Sequence, residues 1–174
     1  MRSKVGHSSH RISVGLIAKW DDTQVGDLQL RSVSAAYSPM LTLFCGLPGS
    51  GKTTLARRLE ADGQGVRLCT DHWQAELGVD HGDTDFHGRL QPLLYRHGLT
   101  LLRHGVDVIL EDGLWMAEER AEKFRDARAC GSRIELHVFD VPYDELRRAW
   151  DLFQLPSPEE LASVDHYEFH GPGA

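Results

Sequence analysis

The nine residues Gly46-Leu47-Pro48-Gly49-Ser50-Gly51-Lys52-Thr53-Thr54 constrain this chain more than any other stretch. Their fixed positions, Gly-x-x-x-x-Gly-Lys-Thr, match the loop that wraps the phosphates of a nucleotide. Glycines let successive backbone N–H groups turn inward with no Cβ in the way. A helix opening near Gly51 aims its unpaired N–H groups and positive dipole end at the anion. Lys52 then supplies a point charge to the β- and γ-phosphates, and Thr53 a hydroxyl to Mg²⁺. The flanking pattern supports this: Leu41 to Cys45 is a short apolar run ending at glycine, and Gly51 to Asp62 has helical spacing at Leu55 and Leu59, stopped by Gly63.

From Met40 onward the pattern alternates. Strands are predicted at Leu41–Cys45, Val66–Thr70, Asp107–Glu111 and Arg133–Asp140. Helices are predicted at Gly51–Asp62, Asp71–Leu77, Arg89–His104, Ala117–Cys130 and Tyr143–Phe153, with one more turn at Glu159–Ala162. Residues 80–85 read as a polar turn, and the last residues as frayed. Alternation of this kind gives βαβ units and a parallel sheet covered on both faces. Right-handed crossovers place all strand C-termini at one edge, where the chemistry gathers. The expected fold class is therefore an α/β P-loop NTPase with three layers. Residues 40–162 form its domain, 1–39 an N-terminal extension and 163–174 a C-terminal tail.

Composition excludes some classes. With 41% hydrophobic and 26% charged residues, the 174-residue chain has an ordinary globular mix. The net charge of −7 splits into +2 over residues 1–39 and −9 over the rest. An acidic body argues against a long nucleic-acid track, so nucleic acid enters only as an acceptor. Cys45, Cys69 and Cys130 read as reduced, buried thiols. No apolar run is long enough for a transmembrane helix or a signal-peptide core, which points to the cytoplasm. The ten histidines are scattered, and His166 and His170 fall in the expected tail, so no zinc site is expected.

Two strand ends carry acids. Asp71, after the second strand, is placed to accept a proton from an attacking hydroxyl, or else to cap the next helix. Val108-Ile109-Leu110-Glu111-Asp112 is an apolar run ending in carboxylates, and either Glu111 or Asp112 suits Mg²⁺. Trp73 and Trp115 follow these strand ends and read as packing residues. The charge-alternating helix Glu118–Arg128 reads as a solvated face, and His81 and His87 as parts of a solvated loop. The guanine-reading NKxD motif of GTPases and the LSGGQ signature of transporter ATPases are both absent. The small kinase-like group remains.

Residues 40–162 resemble the small P-loop kinases that group with zeta toxins, chloramphenicol phosphotransferase and the 5′-kinase domain of polynucleotide kinase; bacterial members are described as AAA-family ATP-binding proteins. The resemblance rests on GLPGSGKTT, on TDHWQAELG from Thr70 to Gly78, on VDVILEDGLW from Val106 to Trp115 and on the ERAEKFRDAR helix. It extends to LHVFDVPYDELRR from Leu136 to Arg148 and LFQLPSPEEL from Leu152 to Leu161. It implies ATP and Mg²⁺ as ligands, γ-phosphoryl transfer to a hydroxyl acceptor with Asp71 as base and Lys52 as catalytic cation, and Arg147 or Arg148 on the phosphates. Two departures stand out. Gln74 occupies the place of a polynucleotide-kinase arginine, and the lid of about 20 residues, the length of a long active-site loop, is missing between Arg148 and the Leu152–Phe153 stretch. A nucleotide-binding module without transfer activity and an ATPase switch are the alternative readings.

Overall fold

The computed structural model describes residues 37–139 and 153–171. Five strands, β1 (Met40–Cys45), β2 (Val66–Leu68), β3 (Val108–Gly113), β4 (Arg133–Phe139) and β5 (His166–His170), form one sheet in the order β2-β3-β1-β4-β5. Every pairing is parallel. The helices are α1 (Lys52–Ala61), α2 (Thr70–Glu76), α3 (Thr84–Arg103), α4 (Ala117–Ala129) and α5 (Pro158–Ser163). The predicted Tyr143–Phe153 helix, with Arg147 and Arg148, falls almost entirely outside the described residues.

Strand alternation sorts the core into two layers. Leu41, Leu43, Leu68, Val108, Leu110, Ile134, Leu136 and Val138 pack with Leu102 of α3 and with Phe124 and Ala127 of α4. On the other face, Phe44, Ile109 and Phe139 pack with Leu55, Ala56 and Leu59 of α1. Each of the Leu, Ile, Val and Phe side chains contributes about 1.5–3 kcal/mol when fully buried. These two layers fix the C-terminal ends of β1, β2 and β3 side by side.

Four expectations are corrected. The supposed tail holds β5, which pairs with β4 from Glu135↔His166 to Phe139↔His170. Its sequence, His-Tyr-Glu-Phe-His, alternates with period 2 and carries aromatic strand formers. Tyr37 to Pro39 belong with the domain: the Tyr37 hydroxyl donates to Asp107, and Arg133 donates its backbone N–H to the Pro39 carbonyl at 2.8 Å. α3 begins inside the expected turn, because the Asp83 carboxylate accepts from the Phe86 N–H at 2.9 Å and caps it. Finally, α4, expected as a solvated face, buries Arg120 together with Phe124 and Ala127.

Candidate functional site

The phosphate loop links β1 to α1. Gly49 (φ 78°) and Gly51 (φ 102°) take left-handed conformations that other residues resist. Gly51 is the N-cap of α1 and provides no side-chain hydrogen bond, so the first N–H groups of the helix stay available to an anion. Packing fixes the loop from below. A Cβ on Gly46 would lie 2.8 Å from the Phe139 Cβ, and one on Gly113 would lie 2.9 Å from the Gly46 carbonyl oxygen and 3.2 Å from the Lys52 Cε. Lys52 Nζ donates to the carbonyls of Gly46 (2.9 Å) and Leu47 (2.6 Å). Burial lowers the Lys52 pKa, with Glu111 pulling the other way. The Ser50 hydroxyl is buried with no hydrogen-bond partner among the described residues. A cradle of this shape, with donors left over, fits a polyphosphate.

The two acids after Leu110 separate. The β1–β3 register runs Leu43↔Leu110 and then Phe44↔Gly113, so Glu111 and Asp112 bulge out of the ladder beside the loop. Glu111 accepts from the Thr53 hydroxyl and, through its other oxygen, from Arg67 Nε at 2.5 Å. The side chains of Arg67 and Glu111 are both largely buried. This pairs a hydroxyl and a carboxylate where a hard cation takes oxygen ligands. Asp112 sits instead near Gln91, Lys123 and His87, and burial raises its pKa.

Asp71 lies in the first turn of α2. The N-cap of that helix is Cys69, and no side chain caps it, so the capping alternative fails. The Asp71 side chain is 72% exposed, with one oxygen 3.5 Å from His87 Nδ1. The same His87 nitrogen lies 3.3 Å from the Gln74 amide oxygen. Gln74 is fully buried, and its amide donates to the Asp80 carbonyl at 2.5 Å. It therefore holds the α2–α3 turn.

A cleft of about 400 Å³ joins these parts: Pro48, Gly49, Lys52, Thr53, Asp71, His87, Gln91, Glu111, Asp112 and Trp115 all line it. Sequence reasoning does not single out Arg67 or Gln91, and His87, expected in a solvated loop, lies on α3 and lines the cleft. His87 and Gln91 are four apart on α3 and share one helix face, a spacing that marks the wall only once α3 is known to begin at Thr84. Nothing in the sequence marks Arg67. Cys45 and Cys69 are buried and Cys130 half-buried, all three as free thiols. Burial pushes the Cys45 thiol up to about 11, which keeps it protonated.

The pKa of Asp112 makes a stability prediction. A carboxyl whose folded pKa is raised costs nothing below its unfolded value; the cost grows as pH rises from there and is complete above the folded pKa. Asp112→Asn is therefore expected to raise Tm at neutral pH. In thermal melts taken across pH, the gain should vanish on acidification below the ordinary carboxylate range. A gain that persists in acid would place its origin outside ionisation.

An all-parallel sheet, a phosphate loop between β1 and α1, and acids at the ends of the neighbouring strands define a P-loop NTPase fold of the kinase-like type. The family described as AAA domain matches residues 41–150, and the chain belongs to that family. No functionally curated sequence matches it. Among solved structures, the chain is similar to one in the Pnkp1/Rnl/Hen1 complex (24% identity, TM-score 0.54, 71% of this chain covered). It spans only 43% of that chain. It is also similar to Mycobacterium tuberculosis APS kinase CysC in complex with AMPPNP and APS (20%, 0.52, covering 76% of this chain and 88% of that one). A third likeness is to a chain of the PezAT toxin–antitoxin system of Streptococcus pneumoniae (17%, 0.55, 78% and 70%). At these identities the likeness is one of fold. Among the described residues no helix is long and apolar enough to cross a membrane.

Proposed function

We propose that this protein is an ATP-dependent phosphotransferase that moves the γ-phosphate of Mg-ATP to a hydroxyl acceptor held beside Asp71. The observation that carries this reading is the convergence of the phosphate loop, the Thr53–Glu111 pair and Asp71 on one cleft. Mg-ATP supplies the transferable phosphoryl group and part of the charge neutralisation. The chain does the rest. Gly46 to Thr54 hold the phosphates through backbone N–H groups. Lys52, resting on two loop carbonyls, has its ammonium ready for phosphate oxygens. Thr53 and Glu111 hold the cation, with Arg67 locking the Glu111 carboxylate in place. Asp71 takes the acceptor's proton, and His87 keeps that carboxylate turned to the cleft. Asp112, with Gln91 and His87 as neighbours, is assigned to the acceptor side. Arg147 or Arg148 is assigned to the phosphates by family resemblance. The cytoplasm is the compartment this reading implies.

Calorimetric titration with Mg-ATP tests the reading. Lys52→Ala is expected to weaken binding roughly 10- to 100-fold, the worth of a charge-assisted contact of about 1.5–3 kcal/mol. Equal binding by both proteins would remove the loop from nucleotide recognition. Tight binding with no transfer to sugar, nucleoside or nucleic-acid hydroxyls would leave a nucleotide-binding module without transferase activity.

A further inference from the structure

The far edge of the sheet holds a second cluster of chemistry-bearing side chains. β4 and β5 pair with His137 opposite Glu168 and Phe139 opposite His170. Alternation puts Glu135, His137 and Phe139 on one face with Glu168 and His170. Three ligand atoms converge there. His137 Nδ1 and His170 Nε2 are 3.0 Å apart. Glu168 Oε2 lies 3.6 Å from the first and 3.9 Å from the second. A triangle with these sides has its centre about 2 Å from every corner, the length of a Zn–N or Zn–O bond.

Two further observations separate this cluster from a chance meeting of surface groups. Both imidazoles are buried, at 3% and 8% exposure, and aromatic neighbours set their orientation. The His137 ring stacks on Phe44 at 5.5 Å and the His170 ring on Phe139 at 4.6 Å. The second observation concerns the other His137 nitrogen. Nε2 is buried without a hydrogen-bond partner among the described residues, and a Glu135 carboxylate oxygen stands 3.7 Å away. Glu135 is itself anchored by the Thr42 hydroxyl at 3.2 Å. A carboxylate behind the outer nitrogen of an imidazole is the device that orients metal-binding histidines and raises their basicity.

We propose that His137, His170 and Glu168 bind a divalent first-row transition ion, with zinc the ion that two imidazoles and one carboxylate suit best. The half-exposed Glu168 leaves a fourth position open to solvent. The ligands come from two adjacent strands, so the ion clamps β5 to β4. This site is separate from the phosphate cleft, whose cation is held by oxygen ligands.

The test uses the full chain without an affinity tag, stripped with chelator and free of nucleotide. It is titrated with Zn²⁺ by calorimetry and with Co²⁺ by visible absorption. One ion per chain is expected, with the strong visible bands of four- or five-coordinate Co²⁺ and a Tm that rises with zinc. His170→Ala and Glu168→Gln should each weaken zinc binding by tenfold or more, and Glu135→Gln by roughly 10- to 100-fold. Lys52→Ala should bind zinc as the wild type does. His137 is too deeply buried for its variant to be decisive. His170→Ala and Glu168→Gln lie on the edge strand, and their folding is checked by circular dichroism. Absence of zinc binding overturns the proposal and leaves an ordinary His137–His170 hydrogen bond. Unchanged binding in both variants also overturns it, by placing the ion elsewhere.

Discussion

Asp71→Asn is expected to cut phosphoryl transfer on the order of 10³-fold, within the 10²–10⁴ range of general-base catalysis, and to leave Mg-ATP binding intact. The split follows from position. Asp71 shares the cleft with the loop, but its ion pair among the described residues is with His87 and not with a loop residue, so its loss removes no contact that holds the phosphates. Asparagine keeps the size and the exposed setting and loses only the capacity to take a proton. The helix should not suffer, because Asp71 does not cap it. Single-turnover transfer from ATP measures the effect, with water as acceptor first and then with any hydroxyl compound that a screen returns. Calorimetry on the same variant measures binding. Wild-type turnover in Asp71→Asn would remove the residue from the mechanism. A parallel loss of binding would make it part of the phosphate site instead.

The parts of this site differ in how far sequence alone exposes them. The phosphate loop is local: nine consecutive residues carry the turn geometry, the cation and the helix start, so it reads directly. Glu111 and Asp112 are adjacent, and sequence left the choice open. What separates them is a bulge against β1 and the pairing of Glu111 with Thr53 and Arg67, distant partners that no spacing rule supplies. His87 reaches Asp71 across 16 positions, through the approach of α2 and α3. His166 to His170 alternates with period 2, but five residues beside a Gly171-Pro172-Gly173 ending read as a tail as readily as a strand. The missing information was a partner strand. The two histidines that do come together, His137 and His170, lie on different strands 33 positions apart.

Arg120 is the plainest failure of local reading, and it carries the largest expected stability effect. In sequence it is one charge among many on α4. In the fold it is 0% exposed. The cause is a demand for donors. Nη1 donates to the carbonyls of Gln154 (2.7 Å), Leu114 (3.3 Å) and Trp115 (3.3 Å). Nε and Nη2 grip the Glu160 carboxylate at 2.8 and 3.2 Å, a two-point pair. One guanidinium thus ties the loop after β3, including the cleft residue Trp115, to the segment leading into α5. Arg120→Ala is expected to cost about 3–5 kcal/mol, because it removes the guanidinium donors from the Leu114, Trp115 and Gln154 carbonyls and leaves the Glu160 carboxylate without its cation; the Trp115 carbonyl keeps only the Gln154 N–H, and Glu160 only the Ser157 N–H. Arg120→Lys should recover only part of this, since a single ammonium cannot span the fork. Urea unfolding at neutral pH measures it as a shift in midpoint with the slope unchanged. The pH dependence has a definite sign. Burial opposes ionisation of Glu160, but Arg120 and the Ser157 N–H more than offset it and hold its pKa below the usual carboxylate value. A depressed carboxylate contributes stability above its unfolded pKa and loses it as pH falls through the folded value. The gap between wild type and Arg120→Ala should therefore narrow in acid without closing, because the three carbonyl bonds do not titrate. A loss below about 1 kcal/mol at neutral pH, the scale of a surface ion pair, would show that water replaces the guanidinium and that the loop is held by other contacts.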